Sequence, residues 1–253
     1  MGNVSILGCG WLGKPLAVSL LEVGFLTKGS TTSISKVKEL ELLGIVPFLI
    51  DISEYEDFDS FLASDILIIA ITSKDIDAFK RLIDQIESSQ VQKVIFISST
   101  SVYPMSNSMI TEESATIESP LTEIEVLFRN NNYFETTILR FAGLYGPGRH
   151  PGNWFKNKTK IPQPKGYVNM IHQEDCIKII LELINQNHWN DTLNACSNHH
   201  PTREEFYTNA RKIIQNEIPV FEETINLKYK VISSKKLQTV LKYEFIHDNL
   251  LEI

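Results

Sequence analysis

Val4-Ser5-Ile6-Leu7-Gly8-Cys9-Gly10-Trp11-Leu12-Gly13 is a short β-type run that breaks into three glycines at fixed offsets. Downstream, Leu12, Leu16, Leu20 and Val23 recur at helical spacing, and Gly24 sits where such a helix would stop. The glycines therefore occupy a strand-to-helix turn, and each suits that place for its own physical reason. Gly8 permits the tight turn, Gly10 lets a bulky anion reach the backbone, and Gly13 lets helix and strand pack closely. The helix start contributes amide donors and a partial positive charge, which suits a diphosphate. The spacing marks Gly8, Gly10, Trp11, Leu12 and Gly13 as candidate cofactor contacts, against the plainer alternative of a turn that serves packing alone.

Outward from this turn, continuous apolar runs alternate with helical patterns. Strands are expected at Phe25 to about Ser30, Ile45–Ile50, Ile66–Ile71, Val94–Ser98, Thr136–Arg140 and Thr192–Ala195. Runs without polar alternation are buried on both faces, as in a parallel sheet covered by helices. The expected fold class is therefore α/β, a doubly wound parallel sheet. The carboxyl edge of that sheet supplies further candidates. The second strand ends in Ser30, Thr31 and Thr32, without the carboxylate that would grip ribose hydroxyls and repel a 2′-phosphate, so the cofactor reading is NAD(P), leaning to NADP. Lys28 and Lys36 are the nearest cations, either phosphate partners or solvated charges. Asp51 fits an adenine contact or an ordinary loop carboxylate. Ala70, Ile71 and Thr72 lie where a cofactor crosses the edge, or else fill the core.

The 253 residues carry 24 Lys and Arg against 31 Asp and Glu, a net charge of −7, with no basic block. That balance excludes nucleic acid and an anionic membrane surface as expected partners. Apolar runs stop short of the roughly 18 residues a membrane span needs. Residues 1–8 enter a strand pattern with no leader-like segment. Cys9, Cys176 and Cys196 are odd in number and scattered, with no metal-ligand spacing, so the chain is expected to be cytoplasmic, reduced and metal-free. Glycines and prolines punctuate residues 146–170, an expected irregular lobe. A helix follows over Asp175–Gln186, and Thr202-Arg203-Glu204-Glu205 reads as a capping box opening another. The expected division is a dinucleotide-binding domain over 1–148 and 171–198, with a small discontinuous substrate lobe over 149–170 and 199–253.

Three phrases carry a resemblance: Ile97-Ser98-Ser99-Thr100-Ser101-Val102-Tyr103, Leu139-Arg140-Phe141-Ala142-Gly143-Leu144-Tyr145-Gly146-Pro147-Gly148, and Asn169-Met170-Ile171-His172-Gln173-Glu174-Asp175. With the glycine turn they resemble extended short-chain dehydrogenases/reductases, in particular the NAD-dependent epimerase/dehydratase family acting on nucleotide-sugars. The match runs from residue 2 to about 210. It implies a Rossmann-type sheet, a small-molecule substrate and, as an option, a homodimer. It also implies roles. Ser99 would hydrogen-bond the reacting oxygen, and Arg140 and Ala142 would approach the nicotinamide. The segment with Asn169, His172 and Asp175 would close the cleft, although His172 and Asp175 equally suit a structural anchor. Arg149, Asn153 and Asn169 are candidate substrate donors.

The family's proton transfer rests on a Tyr-x-x-x-Lys pair in the helix after the fifth strand. Read as a helix from Thr116 to Leu127, this chain places Ile117 at the tyrosine position and Leu121 at the lysine position. Residues 104–132 contain no lysine at all. A positioned acid or base contributes about 10²–10⁴ in rate, so the expected acid/base groups are non-standard, with Tyr103 as a candidate beside Ser99. Two functions follow: an epimerase/dehydratase-like oxidoreductase, or a dinucleotide-binding sensor without turnover.

Overall fold

The computed structural model describes residues 2–54, 56–155 and 160–253. Contact density divides the chain into two units. One comprises Met1–Ser98, Glu118–Leu139 and Ile180–Thr192, the other Ser99–Ile117, Arg140–Ile179 and Leu193–Ile253.

The first half alternates as expected: β1 (Asn3–Leu7), α1 (Gly13–Glu22), β2 (Leu26–Thr31), α2 (Ile34–Leu42), β3 (Val46–Leu49), α3 (Asp59–Leu62), β4 (Ile66–Ile69), α4 (Ile76–Glu87) and β5 (Lys93–Ser99). After β6 (Met109–Ile110) come α5 (Pro120–Arg129), β7 (Glu135–Phe141), β8 (Gly143–Tyr145), β9 (Met170–His172), α6 (Gln173–Asn185) and β10 (Thr192–Ala195). The chain ends with α7 (Arg203–Ile213), β11 (Val231–Ile232) and α8 (Lys235–Leu241). The main sheet has the order β10-β7-β5-β4-β1-β2-β3. β1 pairs in parallel with β2 and β4, as do β2 with β3 and β4 with β5. This is the α/β, Rossmann-type doubly wound sheet expected from the sequence.

Within the first unit, the apolar runs of β1, β4 and β5 are buried because helices cover them. β3, at the sheet edge, leaves Val46 and Leu49 exposed, contrary to the expectation for the Ile45–Ile50 run. α4 turns Ala78, Phe79, Leu82, Ile83 and Ile86 inward, the spacing of a one-faced helix, and Asp75 caps it by accepting from the Ala78 amide at 3.0 Å. Phe96 of β5 stacks on Phe128 of α5 with ring centres 5.0 Å apart, and Phe79 meets both rings edge-on.

The helix after β5 starts later than its sequence pattern predicts. Pro120 occupies its first turn, and Ser119 and Thr122 form a reciprocal capping box. Proline fixes φ and disfavours helix in the residue before it, so residues 116–119 lie outside α5. Ile117 is therefore not a helical residue, whereas Leu121 lies in the first turn of α5.

In the second unit, β8 pairs with β9 and β11 with β6, all in parallel. A small core of Tyr145, Ile161, Val168, Met170, Phe206, Tyr207 and Leu250 packs about the β8–β9 pair. Thr202 caps α7 through the predicted box with Glu205. Asp175 is fully buried. Its carboxylate accepts from the Tyr243 hydroxyl at 2.8 Å and from the Ile246 and His247 amides at 2.8 and 3.0 Å. It anchors the C-terminal segment.

Candidate active site

The glycine turn has the geometry its spacing predicts. Gly8 adopts φ of +100°, and a Cβ there would lie 2.7 Å from Ile71 Cγ2 and 2.9 Å from the Ala70 oxygen. A Cβ at Gly13 would fall on the carbonyl oxygen of Gly8, so only glycine lets α1 approach β1 this closely. At Gly10 nothing lies within 4 Å of an added Cβ. The N-cap of α1 is Leu12, whose side chain makes no cap hydrogen bond. The exposed Gly10 and a helix start with no side-chain cap fit a diphosphate. Cys9, beside them, is buried, and burial pushes its thiol up to about 12.

Ser30 braces the turn. Its hydroxyl accepts from the Gly8 amide at 2.9 Å and its carbonyl from the Cys9 amide at 2.7 Å. Thr31 Oγ1 accepts from the Ser33 amide at 3.2 Å, and Thr32 is exposed. Lys28 donates to the carbonyls of Ser60 and Ala63 at 2.6 and 2.7 Å, closing the end of α3. Its ammonium is thereby engaged, whereas Lys36 stands exposed in the first turn of α2. Asp51 is exposed and accepts from both the amide and the hydroxyl of Ser53 at 3.0 and 2.7 Å, a loop contact that holds its carboxyl below the ordinary value. β4 ends at Ile69, so Ala70 and Ile71, half-buried, and Thr72, exposed, form the loop beyond the strand.

The second unit begins with Ser99, half-buried, which caps a 3₁₀ turn over Thr100–Val102. Its Oγ accepts from the Ser101 amide at 3.1 Å. One hydroxyl proton is thereby left to donate elsewhere. Tyr103 is only 2% exposed. Its hydroxyl accepts from Arg140 Nη1 at 2.6 Å and donates to Asn194 Oδ1 at 2.9 Å, while the guanidinium lies 5.0 Å from its ring centre. Burial pushes the Tyr103 phenol up, against the pull of Arg140. Glu112 completes the cluster by accepting from the Asn194 amide at 2.7 Å. Arg140 and Tyr103 are thus brought together. The Ala142 amide pairs with the Ala195 carbonyl at 3.0 Å.

The expected substrate donors are spread. Arg149 and Asn153 are exposed. Asn169 instead clamps a distant strand: its Nδ2 donates to the Lys230 carbonyl at 2.9 Å and its Oδ1 accepts from the Ile232 amide at 2.8 Å. Sequence reasoning missed Asn194 and Lys230, since a single polar residue in a strand or tail carries no local signal. Among the described residues, His172, Glu174 and His247 place possible metal-ligand atoms within 4.8 Å of one another. Their partners are already internal. His172 Nδ1 accepts from the Glu174 amide at 3.2 Å, and His247 Nε2 meets Glu174 Oε2 at 2.9 Å. Among the described residues, no helix is long and apolar enough to cross a membrane.

A seven-stranded sheet in the order β10-β7-β5-β4-β1-β2-β3 with this glycine turn defines a protein with a Rossmann-type doubly wound fold. UDP-glucuronic acid 4-epimerase from Bacillus cereus, solved with UDP-glucuronic acid and NAD, is 18% identical with a TM-score of 0.81, covering 99% of this chain and 96% of that one. A short-chain dehydrogenase/reductase superfamily protein from Agrobacterium tumefaciens, solved with bound NAD, is 15% identical with a TM-score of 0.79, covering 99% and 95%. No family model matches the chain. Protein YeeZ of Escherichia coli strain K12 is 32% identical over 97% of this chain and 96% of its own, and the chain belongs to the same family.

Proposed function

We propose that the protein is an NAD(P)-dependent oxidoreductase of the epimerase/dehydratase type, acting on a polar, nucleotide-sugar-like small molecule. The observation that carries this reading is the glycine turn: a Gly8 whose positive φ only glycine adopts without strain, an open Gly10 and a Gly13 pressed on Gly8, at a helix start without a side-chain cap. The UDP-sugar and NAD named for the Bacillus cereus epimerase support the substrate and cofactor classes. The cofactor would supply hydride transfer at its nicotinamide. Gly8, Gly10, Trp11, Leu12 and Gly13 would hold its diphosphate, with Ala70, Ile71 and Thr72 further along it. Thr31, Thr32 and Ser33, without a carboxylate, together with exposed Lys36, support NADP over NAD. Asp51 would contact the adenine.

Ser99 is the catalytic residue of this reading, donating its remaining proton to the reacting oxygen. Tyr103, buried and bonded at both lone pair and proton, serves to hold Arg140 and Asn194 rather than to exchange protons. Arg149 and Asn153 are the exposed donors offered to substrate.

The experiment titrates NADPH and NADH by nicotinamide fluorescence, then follows absorbance with the keto forms of a panel of UDP-sugars and, for the redox-neutral reaction with the oxidised cofactor, separates the sugar products chromatographically. Micromolar binding, tighter for NADPH, with turnover that falls roughly 10²-fold or more in Ser99→Ala at unchanged cofactor affinity, is the expected result. Cofactor binding with no turnover of any panel member would instead mark a dinucleotide sensor.

A further inference from the structure

Lys230 is 8% exposed and sits in the segment leading into β11. Its Nζ donates to the carbonyl of Thr100 at 2.8 Å and to that of Tyr103 at 2.7 Å. Among the described residues no carboxylate pairs with it, and burial pushes its ammonium down from the ordinary lysine value. An ammonium so placed is costly, because burial removes hydration that two neutral carbonyls only partly replace. Closing a 3₁₀ turn does not require a charge; an amide side chain would serve.

The charge has a route to the reacting centre. Thr100 C=O and Ser101 N–H belong to one peptide group. Lys230 donates to its oxygen, and its N–H donates to Ser99 Oγ at 3.1 Å. Hydrogen bonds in such a chain polarise one another, and they do so more strongly where water is excluded. A positive charge on the carbonyl side makes the N–H a stronger donor, draws density from Ser99 Oγ and leaves its O–H more acidic.

Lys230 itself is held from several sides. Asn169 takes its carbonyl, β11 pairs in register with β6, and the Tyr229 amide donates to Asn107 Oδ1 at 2.9 Å. We propose that Lys230 is a positioning residue that acts through the Thr100–Ser101 peptide to orient and polarise Ser99. The proposal rests on the reading of Ser99 given above.

The test is a double-mutant cycle of Lys230→Met and Ser99→Ala in the full-length protein, with Lys230→Gln as the neutral variant that keeps a donor. Each is measured for kcat, KM, NADPH affinity and thermal unfolding. Lys230→Met is expected to lower kcat about tenfold, less than loss of a direct donor, with KM within about twofold and NADPH affinity unchanged. Lys230→Gln should keep the wild-type melting temperature yet share most of that loss in kcat. The decisive outcome is non-additivity: in the Ser99→Ala background, Lys230→Met should cost nothing further. If the two losses multiply, or if Lys230→Gln restores full kcat, Lys230 is structural only and the proposal is overturned. Should Lys230→Met not fold, the Lys230→Gln arm of the cycle decides in its place. A wild-type protein that binds NADPH but turns over no sugar overturns the enzymatic reading, and Lys230's role with it. Loss of activity in Ser99→Ala beside full kcat in Lys230→Gln overturns this proposal alone.

Discussion

A methyl group added at Gly13 would fall on the Gly8 carbonyl, whereas one added at Gly10 would meet nothing within 4 Å. The two glycines therefore serve different ends, and their alanine variants should part company. Gly13→Ala is expected to cost about 1–3 kcal/mol in urea unfolding, the range for overpacking. Gly10→Ala should leave stability within about 0.5 kcal/mol and weaken NADPH binding instead, because its methyl occupies the space a diphosphate needs. Equal affinities in wild type and Gly10→Ala would remove the diphosphate from this turn. His172 permits a second residue-level prediction. Burial, with His247 next, pushes it below the ordinary histidine value of 6.5, while Asp175 and Glu174 pull the other way. As pH falls through 6.5 the unfolded chain takes up the proton first, so the native state loses stability just below that pH. His172→Gln should flatten the slope of unfolding free energy against pH there, and an unchanged slope would refute the assignment.

At the scale of elements, local chemistry was legible where one signal dominated. Thr202-x-x-Glu205 formed the capping box its sequence predicts, and the apolar runs of β1, β4 and β5 became buried strands. Thr202→Ala should therefore cost about 1 kcal/mol of stability, read as a lower urea midpoint at unchanged slope. α5 shows where such reading failed. Its apolar periodicity extends back through Ile117, but Ser119 and Pro120 set the start, and the cap outweighs the period. Periodicity says which face is buried; it says little about where a helix begins. The same limit applies to Asn169 and Lys230. Their partners are 63 and 130 residues distant in sequence, respectively, and no local pattern reports a contact of that span.

For the whole molecule, the glycines and prolines that cluster near residue 148 point to a boundary there. Contact density assigns Ser99–Ile117 and Arg140–Ile179 to the second unit, with Leu193–Ile253. That unit gathers its strands from far apart: β6 pairs with β11, and Asp175 ties down Tyr243 and His247. Composition marks where a chain is irregular, not which distant stretches pack together, so the apolar runs of the first unit were easier to read than the assembly of the second. The glycine turn lies wholly within the first unit, and this supplies a test at the molecular scale. A ligand that binds only the folded turn stabilises it by mass action, by about 2.7 kcal/mol at one hundred times its Kd. With roughly 2–4 °C per kcal/mol for a chain of this size, saturating NADPH should raise the unfolding temperature of the transition that includes the turn by about 5–10 °C. NADH at the same concentration should raise it less if the hydroxyl-rich end of β2 accepts a 2′-phosphate. Equal shifts would remove the preference for NADP, and no shift from either nucleotide at millimolar concentration would remove dinucleotide binding itself.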